Sequence, residues 1–387
     1  MYDLKQKGEE FSTLLVPALV KIIRTLQLHG KEVFIIGGAV RDFLCGHQVK
    51  DFDVATNAVP EQIIKWLSEV NIKTKPIGGK YGTVLAIKGK NAFDISTYRK
   101  ETFITYGQPP KITFVDSLDD DLIRRDFRIN SILYDPEKSE IIDKYGGWAD
   151  IQNQSISMIG DPNIRLKEDG LRVIRLARFM SKFNLNPEPE ILDAVRLVGD
   201  SVKFRSTKVI QIELFKFLRV KDFQKGLMLL FENKILHGIF PHYPFQLAFE
   251  DHKHFSFLIN NFCSLLISDE LARLFGALLL FSDEAQLNES HFERIGENLA
   301  LSNRQQQLLQ RLYVSWKNFP RNKDRNEIKR WVRATGINTS EIVAKIFFLS
   351  LLKVEDAVHD QEEEYLKTIQ EMVSNLKTGK KIIPAED

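Results

Sequence analysis

The sequence predicts an α+β protein: a small α/β head followed by an elongated, all-helical remainder. Three observations carry this. Short β-rich runs alternate with helical patterns up to about residue 150, the strand signal stops at about 155, and apolar residues thereafter recur with a 3.6-residue period. At 387 residues the chain is longer than one hydrophobic core usually serves. About two to four domains are therefore expected.

The elements follow in order. Residues 31–37 contain Val33-Phe34-Ile35-Ile36, strong strand formers ahead of two glycines, and read as a strand. Residues 51–55 read as a second strand. Pro60 opens a helix, because its missing N–H and fixed φ suit a first turn. Residues 83–87 and 92–98 form a predicted hairpin turned at Gly89-Lys90-Asn91. Helical periodicity then covers 164–183, 208–218, 223–232, 270–281, 303–316 and 354–376. Pro187-Glu188-Pro189 and Pro241-His242-Tyr243-Pro244 punctuate this helical part, which shows no internal repeat and no low-complexity tract.

Composition narrows the class. With 43% hydrophobic and 27% charged residues, the chain is neither disordered nor collagenous. Cys45 and Cys263 are its only cysteines, which excludes a disulfide framework and a thiolate zinc site. The N-terminus lacks an apolar signal core and no apolar run is long enough to span a bilayer, so a cytoplasmic protein without a membrane partner is expected. The net charge of +2 decides nothing. Locally, residues 201–240 hold eight Lys/Arg against three Asp/Glu, and 301–333 hold nine against two. Such basic stretches suit a polyanion larger than a nucleotide, although a solvated helix face has the same composition.

Three motifs carry chemistry. The first is Phe34-Ile35-Ile36-Gly37-Gly38-Ala39-Val40-Arg41-Asp42, followed by Asp51-Phe52-Asp53. A strand running into Gly37, Gly38 and a helix lets backbone N–H groups approach phosphates, with Arg41 one turn inside. Two glycines alone make an ordinary tight turn equally well. On a strand, Asp51 and Asp53 project from one face, and paired carboxylates are costly unless a cation lies between them. Mg²⁺ is the expected occupant, as two ions, because hard cations take carboxylate oxygens together with substrate phosphates. Asp94, in Phe93-Asp94-Ile95-Ser96-Thr97, is the candidate third carboxylate.

The second motif runs from Asp119-Asp120-Asp121 through Arg124-Arg125-Asp126-Phe127-Arg128-Ile129-Asn130. Arg125 suits a triphosphate, and Asp126 and Asn130 offer an acceptor and a donor to a ribose hydroxyl. A salt-bridged helix end would look the same. The third is Glu168-Asp169-Gly170-Leu171-Arg172-Val173-Ile174-Arg175-Leu176-Ala177-Arg178. Asp169, Arg172, Arg175 and Arg178 are spaced to form a ridge on one helix. An Asp acceptor beside an Arg donor matches the exocyclic amine and ring acceptor of cytosine or adenine. Guanine and uracil mismatch it, at a cost on the order of 1–3 kcal/mol.

Taken in order, GGAVRD, DFD, GGKYGT at 78–83, RRDFRIN and EDGLRVIRLARF resemble the class II tRNA nucleotidyltransferases, the CCA-adding enzymes. These share a polymerase β-like head with bacterial poly(A) polymerases. The resemblance spans about residues 30–240 and continues in Leu301-Ser302-Asn303-Arg304-Gln305. It implies a nucleotidyltransferase head at 1–155, a neck with the base-selecting helix at 156–212, a helical body at 213–305 and a tRNA-binding helical tail at 306–387. Gly38 and Arg41 would bind the triphosphate, and Asp51 and Asp53 the metals. Arg125 would contact the phosphates, and Asp126 and Asn130 the ribose. Asp169 and Arg172 would pair with CTP and then ATP, supported by Arg175 and Arg178. Asp94 stands where the family usually carries Glu. Residues 99–110 occupy the place of the loop that switches C to A addition, without the family's acidic-then-basic run, and the chain ends without a Gly/Pro-rich pattern. His359-Asp360 is not read as a phosphohydrolase site, because only Asp387 follows it as a further ligand.

The expected reaction is addition of CMP, CMP and AMP to the 3′ end of tRNA from CTP and ATP, releasing pyrophosphate. The expected partners are the tRNA 3′ end and its acceptor and T arms, with no protein partner. Addition of only CC or only A stays open, as does a poly(A) polymerase, toward which Ile159-Gly160-Asp161-Pro162 leans. A small-molecule nucleotidyltransferase and a catalytically dead RNA-binding protein are the remaining readings.

Overall fold

In the computed structural model a seven-stranded mixed sheet organises the N-terminal part of the chain. Residues 2–202, 204, 206–246, 252–265, 267–320, 324–352, 371 and 375 are described. They fall into two compact units, one of residues 1–172 and 183–198, the other of residues 173–182 and 199–387.

In the first unit, helices α1 (Tyr2–Ser12) and α2 (Pro17–Leu28) precede strand β1 (Val33–Ile36). Then come α3 (Gly38–Leu44), β2 (Asp53–Thr56), α4 (Pro60–Glu69), β3 (Lys73–Ile77), β4 (Thr83–Lys88) and β5 (Asn91–Thr97). A separate hairpin, β6 (Arg99–Thr102) with β7 (Lys111–Phe114), leads to α5 (Leu118–Ile123), β8 (Leu133–Asp135), β9 (Glu140–Ile142) and α6 (Gly147–Gln152). The main sheet has the order β3-β4-β5-β2-β1-β8-β9. The predicted hairpin is present, with Lys88 opposite Asn91 and Gly89 at φ +62°. Pro60 does occupy the first turn of α4.

The core of this unit lies between the sheet and α1–α4, where Phe11, Leu19, Ile22, Ile35, Val54, Ile63 and Ile95 are buried. Each such side chain contributes roughly 1.5–3 kcal/mol by leaving water. Helices α1 and α2 were not predicted from the sequence.

Two sequence expectations need correction. β2 begins at Asp53, so Asp51 precedes the strand and does not share its face by strand alternation. The predicted helix over 164–183 is two helices, α7 (Pro162–Glu168) and α8 (Leu171–Phe183). Asp169 between them is extended, at φ −154° and ψ 104°, and its Oδ1 accepts from the Leu171 N–H at 3.2 Å. It therefore leaves the predicted ridge and holds the start of α8. The strand signal also does not end at 155: β10 (Ser155–Ile156) pairs in parallel with β11 (Asn186–Pro187), which leads into α9 (Pro189–Val198).

The described part of the second unit is built from helices. They include α10 (Thr207–Leu218), α11 (Gln224–Glu232), α12 (Ile235–Ile239), α13 (His252–Ser264), α14 (Glu270–Leu280), α15 (Glu289–Asn298), α16 (Asn303–Lys317), α17 (Arg325–Thr335) and α18 (Ile337–Leu352). Phe231 stacks on Phe281 with centroids 4.0 Å apart, and Gly226 lets α11 approach closely: a Cβ there would lie 2.4 Å from the Ala177 carbonyl oxygen. Ser302 caps α16, accepting from Gln305 N–H while Gln305 Oε1 accepts from Ser302 N–H at 3.0 Å. The predicted helix at 354–376, His359-Asp360 and the chain end at 382–387 lie outside the described residues apart from 371 and 375. Among the described residues no single helix is long and apolar enough to cross a membrane.

Candidate active site

Sheet register assembles the site. Antiparallel pairing sets Ile36, the last residue of β1, opposite Asp53, and parallel pairing sets Asp53 opposite Asp94 on β5. The glycine turn leaving β1 therefore lies at the same end of the sheet as both acids. Gly37 has φ +73° and ψ −118°, a conformation that costs a residue with Cβ. A Cβ on Gly38 would lie 3.8 Å from Arg41 Nη2 and 3.9 Å from Asp53 Oδ2, and one on Gly37 would lie 3.8 Å from Arg125 Nη1. Two guanidinium groups and a carboxylate thus converge on the glycine pair.

Asp53 keeps one side open to solvent, yet loss of hydration raises its pKa, with Asp94 and Asp51 adding to the rise. Arg125 and Arg41 oppose this without cancelling it. Burial and Asp51 raise Asp94 as well. Negative charge is therefore in excess here, and the donors are hard carboxylate oxygens, a set that fits a divalent cation. Among the described residues no three His, Cys, Asp or Glu side chains are drawn together closely enough to hold a metal by themselves.

Arg41 and Arg125 are each oriented by acceptors. Arg41 donates to Asp42 Oδ1 through Nε at 2.9 Å and through Nη2 at 2.6 Å, and through Nη1 to Asn130 Oδ1. Its guanidinium also lies 4.9 Å from the Phe183 ring centroid. Asn130 Nδ2 donates to Asp126 Oδ1 at 2.8 Å, and the same oxygen accepts from the Phe127 N–H. Arg41, Asn130 and Asp126 are thus one connected chain.

Arg125 Nη2 donates to Asp121 Oδ2 at 2.9 Å, and Arg124 Nη2 to Asp121 Oδ1 at 2.6 Å. Burial by itself would raise the Asp121 carboxyl, but the two guanidinium groups outweigh it and hold the pKa below the usual carboxylate value. The sequence reading did not single out Asp121, although its i+3 and i+4 spacing to Arg124 and Arg125, just past the end of α5, was an available signal.

Asp169 and Arg172 are both buried. Arg172 Nη1 donates to Glu168 Oε2 at 2.8 Å and to the Arg165 carbonyl at 2.5 Å, and its guanidinium lies 5.9 Å from the Phe103 ring centroid. Glu168, also not singled out from sequence, accepts from Arg165 Nη1 at 2.6 Å. The loop of the β6–β7 hairpin reaches this segment through the Gly107 N–H, which donates to the Glu168 carbonyl at 3.4 Å. Arg175 and Arg178 belong to the second unit. There Arg178 pairs with Glu213 at 3.2 Å, and Arg175 lies close enough to Glu213 to lower that carboxyl's pKa.

Comparison with known proteins agrees with this geometry. Residues 33–157 match the family model of the poly(A) polymerase head domain. The CCA-adding enzyme of Anoxybacillus flavithermus is 35% identical over 217 residues, 56% of this chain and 53% of the relative. That of Streptococcus mutans is 35% identical over 225 residues, 58% of this chain and 54% of the relative. The chain thus spans about half the length of the curated relatives it matches.

Among solved structures, the Bacillus stearothermophilus CCA-adding enzyme in complex with CTP superposes with a TM-score of 0.67 at 23% identity, covering 94% of this chain and 84% of that one. A tRNA nucleotidyltransferase complexed with a primer tRNA and an incoming ATP analogue gives 0.66 at 19% identity, covering 92% and 99%. These two establish the fold, an α/β head with helical domains. Residues 33–157 are similar to the poly(A) polymerase head domain, and both of these curated relatives are CCA-adding enzymes.

Proposed function

We propose that the protein adds CMP, CMP and AMP to the 3′ end of tRNA from CTP and ATP, without a nucleic acid template and with release of pyrophosphate. The observation that carries this is the register that sets Asp53 beside Asp94 at the glycine turn, with Arg41 and Arg125 facing the same turn. Similarity to the curated CCA-adding enzymes favours tRNA as the acceptor.

In this reading Arg41 and Arg125 hold the triphosphate, each fixed in advance by Asn130 or Asp121, so little side-chain freedom is lost on binding. Asp126 and Asn130 meet the ribose. Asp169 accepts from the exocyclic amine of cytosine or adenine, while Arg172 donates to the neighbouring ring acceptor. Arg175 and Arg178 support them. Asp51 and Asp53 would hold Mg²⁺, with Asp94 as a further catalytic carboxylate beside them. When bound, the metal supplies a lowered pKa for the attacking hydroxyl and charge stabilisation for the departing pyrophosphate. The glycine turn and the two arginines keep the α-phosphate within reach of the acceptor's terminal hydroxyl. The basic helices at 201–240 and 301–333 would contact the acceptor and T arms, and the activity would be cytoplasmic.

The test is incubation with tRNA lacking CCA and with tRNA ending in CC, using labelled CTP and ATP separately. Extension by three nucleotides supports full CCA addition. Arrest after CC, or addition of A alone, would narrow the activity. A ladder beyond three nucleotides would mark a poly(A) polymerase, and no incorporation would contradict the proposal.

A further inference from the structure

Arg165 meets no substrate group in this reading, yet it lies where two substrate-facing segments join. Asp161 caps α7 by accepting from the Asn163 N–H at 2.8 Å, and Pro162 starts the helix, so Arg165 is held on its first full turn. Its side chain is 11% exposed. Nη2 donates to the carbonyls of Arg124 at 2.5 Å and Arg125 at 2.7 Å. Nη1 donates to Glu168 Oε2 at 2.6 Å, an oxygen that also accepts from Arg172 Nη1. The Arg165 carbonyl in turn accepts from Arg172 Nη1 at 2.5 Å.

One guanidinium therefore ties together the peptide that presents Arg125 and Asp126 and the turn that presents Asp169 and Arg172. A planar fork with several fixed donors can hold three acceptors in a set geometry, which a lysine ammonium reproduces only in part. A catalytic geometry loose by 1 Å loses on the order of 10²-fold in rate, so a strut of this kind has a measurable effect.

We infer that Arg165 is a positioning residue that couples the base-reading turn to the phosphate- and ribose-binding turn, so that a nucleobase matched at Asp169 and Arg172 brings its phosphates into line at Arg125. This rests on the transfer reading above. The test uses the full chain with R165K and R165Q, and measures kcat and KM for CMP incorporation from CTP, UMP misincorporation from UTP, and Tm.

The expected result for R165Q is a fall of about tenfold or more in the preference for CTP over UTP, carried mainly by KM for CTP, with R165K intermediate. In R165K combined with R172K, the losses of preference are expected to be less than multiplicative, because both variants disturb the same joint. An active wild type whose variants lose Tm but keep the wild-type CTP/UTP preference would overturn the inference alone. If R165Q does not fold, the same ratio in R165K decides. A wild type that incorporates nothing overturns the transfer reading and the inference with it.

Discussion

Asp53 and Asp94 stand opposite each other on two parallel strands, at the sheet end where Gly37 and Gly38 turn the chain. Loss of hydration raises both carboxyls, Asp94 and Asp51 add to the rise at Asp53, and Asp51 adds to it at Asp94, so the folded protein without cation carries a cost that these ionised acids impose. Because the folded pKa lies above the unfolded one, this cost is fully present above the folded pKa and is relieved as pH falls through it. Asp53→Asn is therefore predicted to raise Tm in EDTA by about 1–3 °C, as thermal unfolding followed by circular dichroism would show. An unchanged or lower Tm would count against the charge excess.

Asp121 is the buried counter-charge of Arg124 and Arg125. Replacing it with Asn leaves Arg125 facing a neutral amide while Arg124 keeps Glu101 Oε1 at 3.4 Å, and breaking such a buried pair costs about 3–5 kcal/mol in stability. Chemical denaturation is expected to show a loss at the lower end of that range. KM for CTP is expected to rise by about tenfold, since Arg125 loses its orientation. Its depressed pKa sets the sign with pH: the stabilisation is full above the unfolded value of 3.8 and is lost as pH falls below it.

Asp169→Ala removes the acceptor proposed to face the exocyclic amine. Competition between CTP and UTP on tRNA lacking CCA is expected to show the preference falling by roughly 5- to 150-fold, the equivalent of about 1–3 kcal/mol. Retained preference would remove Asp169 from base selection.

Glu213 tests the second unit by itself. Burial alone would raise its carboxyl, but Arg178, Arg175 and Lys216 outweigh that and lower it. Glu213→Gln is predicted to destabilise the protein by about 2–4 kcal/mol at pH 7, with the difference from wild type shrinking as pH falls below the unfolded value of 4.5. Urea titrations at pH 7 and pH 4 would measure both.

Local signals made part of this legible in sequence. β1 was visible as Val33-Phe34-Ile35-Ile36 before two glycines, and the β4–β5 hairpin as two β-rich runs around Gly89. The site residues of the head were named from their motifs. That Asp94 lies on a strand neighbouring Asp53 was expected too, but the register that sets the two directly opposite was not legible, because it links strands far apart in sequence. Helix α1 gave no periodic signal: it is largely polar, and Gly8 meets the chain at Ser139 so closely that a Cβ would lie 2.4 Å from that carbonyl oxygen. The break was hidden because apolar periodicity runs through 164–183, and only the extended Asp169 and the turn at Gly170 separate the two helices.

The most direct measurement is single-turnover incorporation of CMP into tRNA lacking CCA by wild type and Asp53→Ala, with tRNA binding followed in parallel by filter retention. The account predicts a loss of at least about 10³-fold in transfer with tRNA affinity nearly unchanged, the pattern of a group that acts only on the reaction step. Transfer at the wild-type rate by Asp53→Ala would contradict it.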